Sequence, residues 1–344
     1  MLSLMLAGGV ALWVAALLTP LLVRWLQKRR IGQPVRDDGP ASHWAKAGTP
    51  TMGGIVIVLA VVIGFVFGHF GTHVGVSRAG ILIIGTVIAY GVIGFLDDWI
   101  KVRNKRSLGL NKRAKMALQL GTALAFALLA VFWVHTATTL SFTRETVPGW
   151  QLGHLLWIVL AIVVIVGTSN AVNLTDGLDG LAGGSATFSF AVLAIIGYWS
   201  FRHFSIYHLG SALDIGLTAI ALAGACLGFL WWNAAPARIY MGDTGSLSIG
   251  AGLAAICLLL NVDLLLIVIG GLFVLETLSV ILQVFSFRVF RRRIFKMAPI
   301  HHHFELKGWP ETTVIVRFWI LAGLFAALGL GIYYAGFLTA SSGL

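Results

Sequence analysis

Charge is what this chain has least of. Lysine, arginine, aspartate and glutamate make up 11% of its 344 residues, where a soluble domain carries about a quarter. Hydrophobic residues make up 58% and the mean hydropathy is +0.91, which excludes a water-soluble fold. Cysteine is scarce too. Cys226 and Cys257 both lie inside apolar runs; with no pair at metal-ligand spacing, zinc and iron–sulfur chemistry are set aside and no disulfide is suggested. A cleavable leader is not expected either. The first apolar run, Leu2 to Leu26, is too long for a signal core and ends in Gln27-Lys28-Arg29-Arg30 rather than in small residues.

What the chain has instead is apolar runs close to bilayer length, at about 2–26, 51–70, 79–96, 116–134, 152–170, 181–199, 214–233, 246–261, 263–287 and 314–338. They predict an all-α, polytopic membrane protein with about ten transmembrane helices and a single domain over 1–344. The 41 glycines suit such a bundle, because small residues let membrane helices approach closely. An even number of spans puts both termini on one side. All 24 lysines and arginines except Arg78, Arg144 and Arg202 lie at the ends that follow the odd-numbered runs. Basic residues collect on the cytoplasmic side, so both termini are expected to be periplasmic. Membrane orientation thereby explains the net charge of +11 without invoking nucleic acid. The expected cytoplasmic loops are about 27–50, 97–115, 170–181, 233–246 and 288–313. No run repeats another's motifs, which weakens an inverted-repeat transporter reading.

Most of the 13 acidic residues sit in or beside those loops, and four clusters stand out. Asp97 and Asp98 are adjacent at the end of a run, where mutual repulsion invites a cation; a solvated helix end is the alternative. On a helix the two would point in different directions and divide their labour. Asn170, Asn173, Asp176 and Asp179 recur every third residue, broken by Gly177 and Gly180, in a loop without lysine or arginine. Asn233-Ala-Ala-Pro-Ala-Arg-Ile-Tyr240-Met-Gly242-Asp243 precedes a run that Thr244 or Ser246 could cap. His301, His302 and His303 are consecutive, so they cannot all face one metal on regular structure; phosphate contact is the favoured reading, ahead of a metal or a solvated run. Lys46, Lys101, Lys105 and Lys115 share this membrane face, as befits an anionic substrate bridged by a divalent ion.

Together these clusters resemble the polyprenyl-phosphate sugar-1-phosphate transferases, and within them the phospho-N-acetylmuramoyl-pentapeptide transferases. The resemblance runs nearly end to end, from Gly32-Gln-Pro-Val-Arg36 and Lys46-Ala-Gly-Thr-Pro-Thr-Met-Gly-Gly54 to the histidine run. It implies magnesium, a cytoplasmic active site, commonly a homodimer, and a bacterial inner membrane. The implied substrates are UDP-N-acetylmuramoyl-pentapeptide and undecaprenyl phosphate, giving lipid I and UMP. Carried over by motif, Asp97, Asp98, Asp243, His301, His302 and His303 are implied to be catalytic, with Asp243 the metal ligand, alone or with Asp97 or Asp98. Asn170, Asn173, Asp176, Gly177, Leu178, Asp179, Lys46, Asn233 and Tyr240 are implied to receive the nucleoside side of the substrate. Lys101, Lys105 and Lys115 are implied near the phosphates, and Gln283 at the site. The alternative enzyme attaches N-acetylglucosamine-1-phosphate or a related sugar to the same carrier; a transporter is the remote one.

Overall fold

The computed structural model describes residues 1–29, 32, 48–70, 75–104 and 108–341. Hydrocarbon offers the backbone no hydrogen bonds, so apolar runs of this length satisfy their own as helices. They form α1 (Leu2–Lys28), α2 (Gly54–His69), α3 (Arg78–Arg103), α4 (Lys112–Leu129), α5 (Gly153–Thr175) and α6 (Leu181–Arg202). A short α7 (Phe204–Tyr207) follows, then α8 (Ala212–Asn233), α9 (Gly242–Leu259), α10 (Leu265–Ile269), α11 (Gly271–Phe290), α12 (Ile300–Glu305) and α13 (Glu311–Ser341). Among the described residues nine helices are long and apolar enough to cross a membrane, and α2, with 16 residues, is a shorter apolar one. The protein is all-α and polytopic, and these helices account for all ten apolar runs.

The bundle is organised around α9. Its most apolar stretch is 89% buried, against 28% for α1, α11 and α13. The sequence explains this: α9 is mostly glycine, alanine and serine between its leucines and isoleucines, so neighbouring backbones can close on it. α3 and α5 pack along α9, while α8 packs against α1 and α6. Two glycines set the closest approaches. A β-carbon on Gly94 of α3 would overlap the Asp243 carbonyl, and one on Gly54 of α2 would overlap the Gly245 amide. Both contacts lie at the first turn of α9, and so they fix where Asp243 sits.

Two features depart from the expected pattern of plain spans and loops. The stretch between α4 and α5 holds an antiparallel hairpin, β1 (Thr139–Arg144) and β2 (Val147–Gln151). β1 buries alternate residues, a period-two pattern that apolar-run counting does not detect. The hairpin is tied down: Leu264 N–H donates to Ser141 O, Ser141 N–H donates to the Asp263 carboxylate, and Arg144 donates to Gly336 O. The ninth run is also not one helix. It breaks at Gly270 between α10 and α11, where Gly271 admits the ring of Phe325 from α13.

Candidate active site

The first turn of α9 leaves its leading N–H groups without intrahelical acceptors. The chain supplies an acceptor from α3. Asp98 Oδ1 accepts from Asp243 N–H at 3.2 Å, and Asp98 Oδ2 accepts from Thr244 N–H at 3.0 Å and from its hydroxyl at 2.8 Å. The cap on α9 is therefore Asp98, where the sequence had suggested Thr244 or Ser246. This leaves both oxygens of the Asp243 carboxylate to partners from other helices.

Lys101, one turn after Asp97 on α3, lies among all three carboxylates. Its Nζ is 2.6 Å from Asp97 Oδ2, 3.1 Å from Asp243 Oδ2 and 3.6 Å from Asp98 Oδ1. Lys115, in the first turns of α4, reaches Asp243 Oδ2 at 2.5 Å and Asp97 Oδ2 at 3.9 Å. Asp97 Oδ1 accepts from Leu110 N–H at 2.9 Å. Asn173 of α5 donates to Asp243 Oδ1 at 2.9 Å and to Ser246 Oγ at 2.8 Å. One oxygen from each of Asp97, Asp98 and Asp243 falls within 4.8 Å of the others, a group that could hold a metal ion. Two ammonium groups against three carboxylates leave net negative charge, so the donor set suits a hard divalent cation.

α5 ends at Thr175 and the chain turns through Asp176 to Gly180, where φ is +79°. Asp176 faces the cluster. Burial first, and then the Asp243, Asp98 and Asp179 carboxylates, hold its carboxyl well above the usual range. Buried Asp179 is fixed from both sides: its N–H donates to Glu311 Oε1 and its Oδ2 accepts from Ala237 N–H. Leu178 is buried beneath this turn, packed with Leu181 and the start of α13.

Other residues singled out in the sequence lie at varying distances from this centre. Asn170 turns to α4, donating to Gln119 Oε1 and to Val166 O. Asn233 closes the following loop by donating to Ile239 O. The main chain of Tyr240 bridges the segment before α2, its N–H donating to Pro50 O and its carbonyl accepting from Gly53 N–H. Gln283 clasps the loop after α11, donating to Phe295 O and accepting from Ile294 and Phe295 N–H. It also lines a cavity of about 630 Å³ with Phe287, Arg288, Arg293, Lys296 and Leu306, none of which belongs to the carboxylate cluster. Lys46 and Lys105 lie outside the described residues.

The three histidines sit on α12 and diverge. His301 is fully buried with Nδ1 3.0 Å from Glu276 Oε2. His302 Nδ1 is 2.6 Å from Glu305 Oε2. His303 Nδ1 accepts from Lys296 N–H at 3.0 Å, and burial together with Lys307 and Lys296 lowers its pKa. Sequence reasoning named Thr244 and Ser246 only as caps, and missed Gln119 and Glu311 as partners in this region. Each is an ordinary helix residue whose role depends on a neighbour far along the chain.

The model described as "Glycosyl transferase family 4" matches residues 80–261, which span all three aspartates. A phospho-N-acetylmuramoyl-pentapeptide-transferase signature matches residues 46–58. The chain is 48% identical to the phospho-N-acetylmuramoyl-pentapeptide-transferase of Frankia alni, covering 98% of this chain and 99% of that protein. It is 46% identical to the Saccharopolyspora erythraea protein of the same name, over 98% of both chains. With that of Streptomyces avermitilis it shares 45% identity over 96% of this chain and 97% of the relative.

Proposed function

The chain belongs to the phospho-N-acetylmuramoyl-pentapeptide transferases, and from that premise we propose that it moves phospho-N-acetylmuramoyl-pentapeptide from its UDP nucleotide to undecaprenyl phosphate, giving lipid I and UMP. The observation that carries the reading is the meeting of Asp97, Asp98 and Asp243 with Lys101 and Lys115. Three helices bring anion-binding and proton-handling groups to one end of the bundle, as phosphoryl transfer requires.

Asp243, with Asp97 beside it, would hold magnesium, which when bound neutralises phosphate charge. Lys101 and Lys115 bind the phosphates through the same ammonium groups that now bridge the carboxylates; the family resemblance gives Lys105 a like role and Lys46 one on the nucleoside side. Asp97 takes the proton from the lipid phosphate, whose oxygen forms the new bond to the sugar-proximal phosphorus as the bond to UMP breaks. Asp98 keeps Asp243 in place by capping α9. Asn173, Asp176, Gly177, Leu178 and Asp179, with Asn170, Asn233 and Tyr240 around them, receive the nucleoside side. His302, His303 and Gln283 border the sugar and carrier. The distribution of basic residues supports a cytoplasmic site, periplasmic termini and residence in the bacterial inner membrane; the family resemblance supports a homodimer. A reporter fused after Leu344 should therefore read periplasmic.

The experiment is UMP release by the purified protein with undecaprenyl phosphate and magnesium, comparing two donors. UDP-N-acetylmuramoyl-pentapeptide should be consumed and UDP-N-acetylglucosamine should not. Preference for the second donor, or release that needs neither lipid nor magnesium, would refute the reading.

A further inference from the structure

Glu276 lies on α11, fully buried, and takes no part in the carboxylate cluster. An acidic residue inside a membrane segment is costly to bury and is kept where it has a partner and a task. Its partner is His301, equally buried, with Nδ1 3.0 Å from Glu276 Oε2. The pair attracts at that distance. The ring is nevertheless not turned for an aligned bond, so both Glu276 oxygens and both His301 nitrogens lack a well-formed hydrogen bond. His301 has no exposed surface. Its Nε2 edge faces Gly177 so closely that a β-carbon there would collide with it. Gly177 is the turn between Asp176 and Asp179, and Asp179 is itself pinned by Ala237 and Glu311.

We propose that Glu276 is a positioning residue for the transfer reaction: acting through His301, it sets the Gly177 turn and hence the Asp176 and Asp179 carboxyls that receive the nucleotide. The inference rests on the assignment of that turn to the nucleoside side. A carboxyl group packed 3.0 Å from Nδ1 limits where the buried imidazole can sit. The ring then forms a rigid wall behind a turn that has no side chain of its own. Displacing a binding group by about 1 Å can cost about a hundredfold in activity.

The test is UMP release as a function of nucleotide at saturating lipid, with direct UMP binding and thermal stability measured alongside. Glu276→Leu removes the acceptor and should raise the nucleotide KM by about ten- to a hundredfold, with a smaller fall in kcat. Glu276→Gln keeps the size of the side chain and a polar group against Nδ1, and should stay within about threefold of the parent. The Glu276→Leu/His301→Ala double variant should be little worse than its worse single parent, because both act through one contact. Gly177→Ala pushes the ring from the other side and should give the same KM signature; it carries the test if Glu276→Leu does not fold. A folded Glu276→Leu or Gly177→Ala protein with an unchanged nucleotide KM overturns the proposal, as do additive losses in the double variant. If the parent chain released no UMP from the muramoyl nucleotide, the proposed substrate would fail while the UMP-binding comparison still judged Glu276.

Discussion

At the scale of single residues, the adjacent aspartates do different things. Asp98 spends both oxygens on the first N–H groups of α9 and the Thr244 hydroxyl. Asp97 faces Lys101 and one loop amide, which leaves it the more available for proton transfer. Adjacency in sequence thus predicted a division of labour but not its terms, since Asp98 and Thr244 are 146 positions apart. Asp98→Ala should lower stability by about 1–2 kcal/mol, the usual worth of a side-chain cap, whereas Asp98→Asn keeps one acceptor for the helix end and should lose less. Thermal unfolding of the two variants in the same detergent decides this; equal melting temperatures would remove the capping role.

At the scale of elements, the end of the bundle far from the carboxylate cluster is held by the hairpin and the α9–α10 connection. Asp263 is buried there beneath Ser141, and burial raises its carboxyl to about 8, against about 3.9 in an unfolded chain. Between those values the folded chain holds a proton that the unfolded chain has released. Stability therefore falls as pH rises from about 4 to about 8 and levels off above that. Asp263→Asn cannot ionise, so its melting temperature relative to the parent should climb across that window and then hold steady. A difference independent of pH would contradict the assignment. The spans themselves were legible in the sequence, because hydrocarbon length and composition dictate them. The hairpin and the break at Gly270 were not. Both depend on tertiary partners, Asp263 for the first and Phe325 for the second, that no local pattern names.

At the scale of the whole molecule, small residues let α9 occupy the centre of the bundle, and that placement assembles the site. The end of α3, the start of α4 and the end of α5 converge on its first turn, where Lys101 and Lys115 offset the cost of gathering carboxylates beside a membrane. The sequence motifs identified the participants. They did not separate residues at the centre, such as Asn173, from those that shape its surroundings, such as Asn170, Asn233 and Gln283. The most direct test of the account is steady-state UMP release by purified, folded Asp97→Asn, Asp98→Asn and Asp243→Asn proteins at saturating lipid, nucleotide and magnesium. Each variant keeps the size of the side chain and removes its charge, and each should lose at least about a hundredfold in turnover. Near-parental turnover in all three would contradict the account.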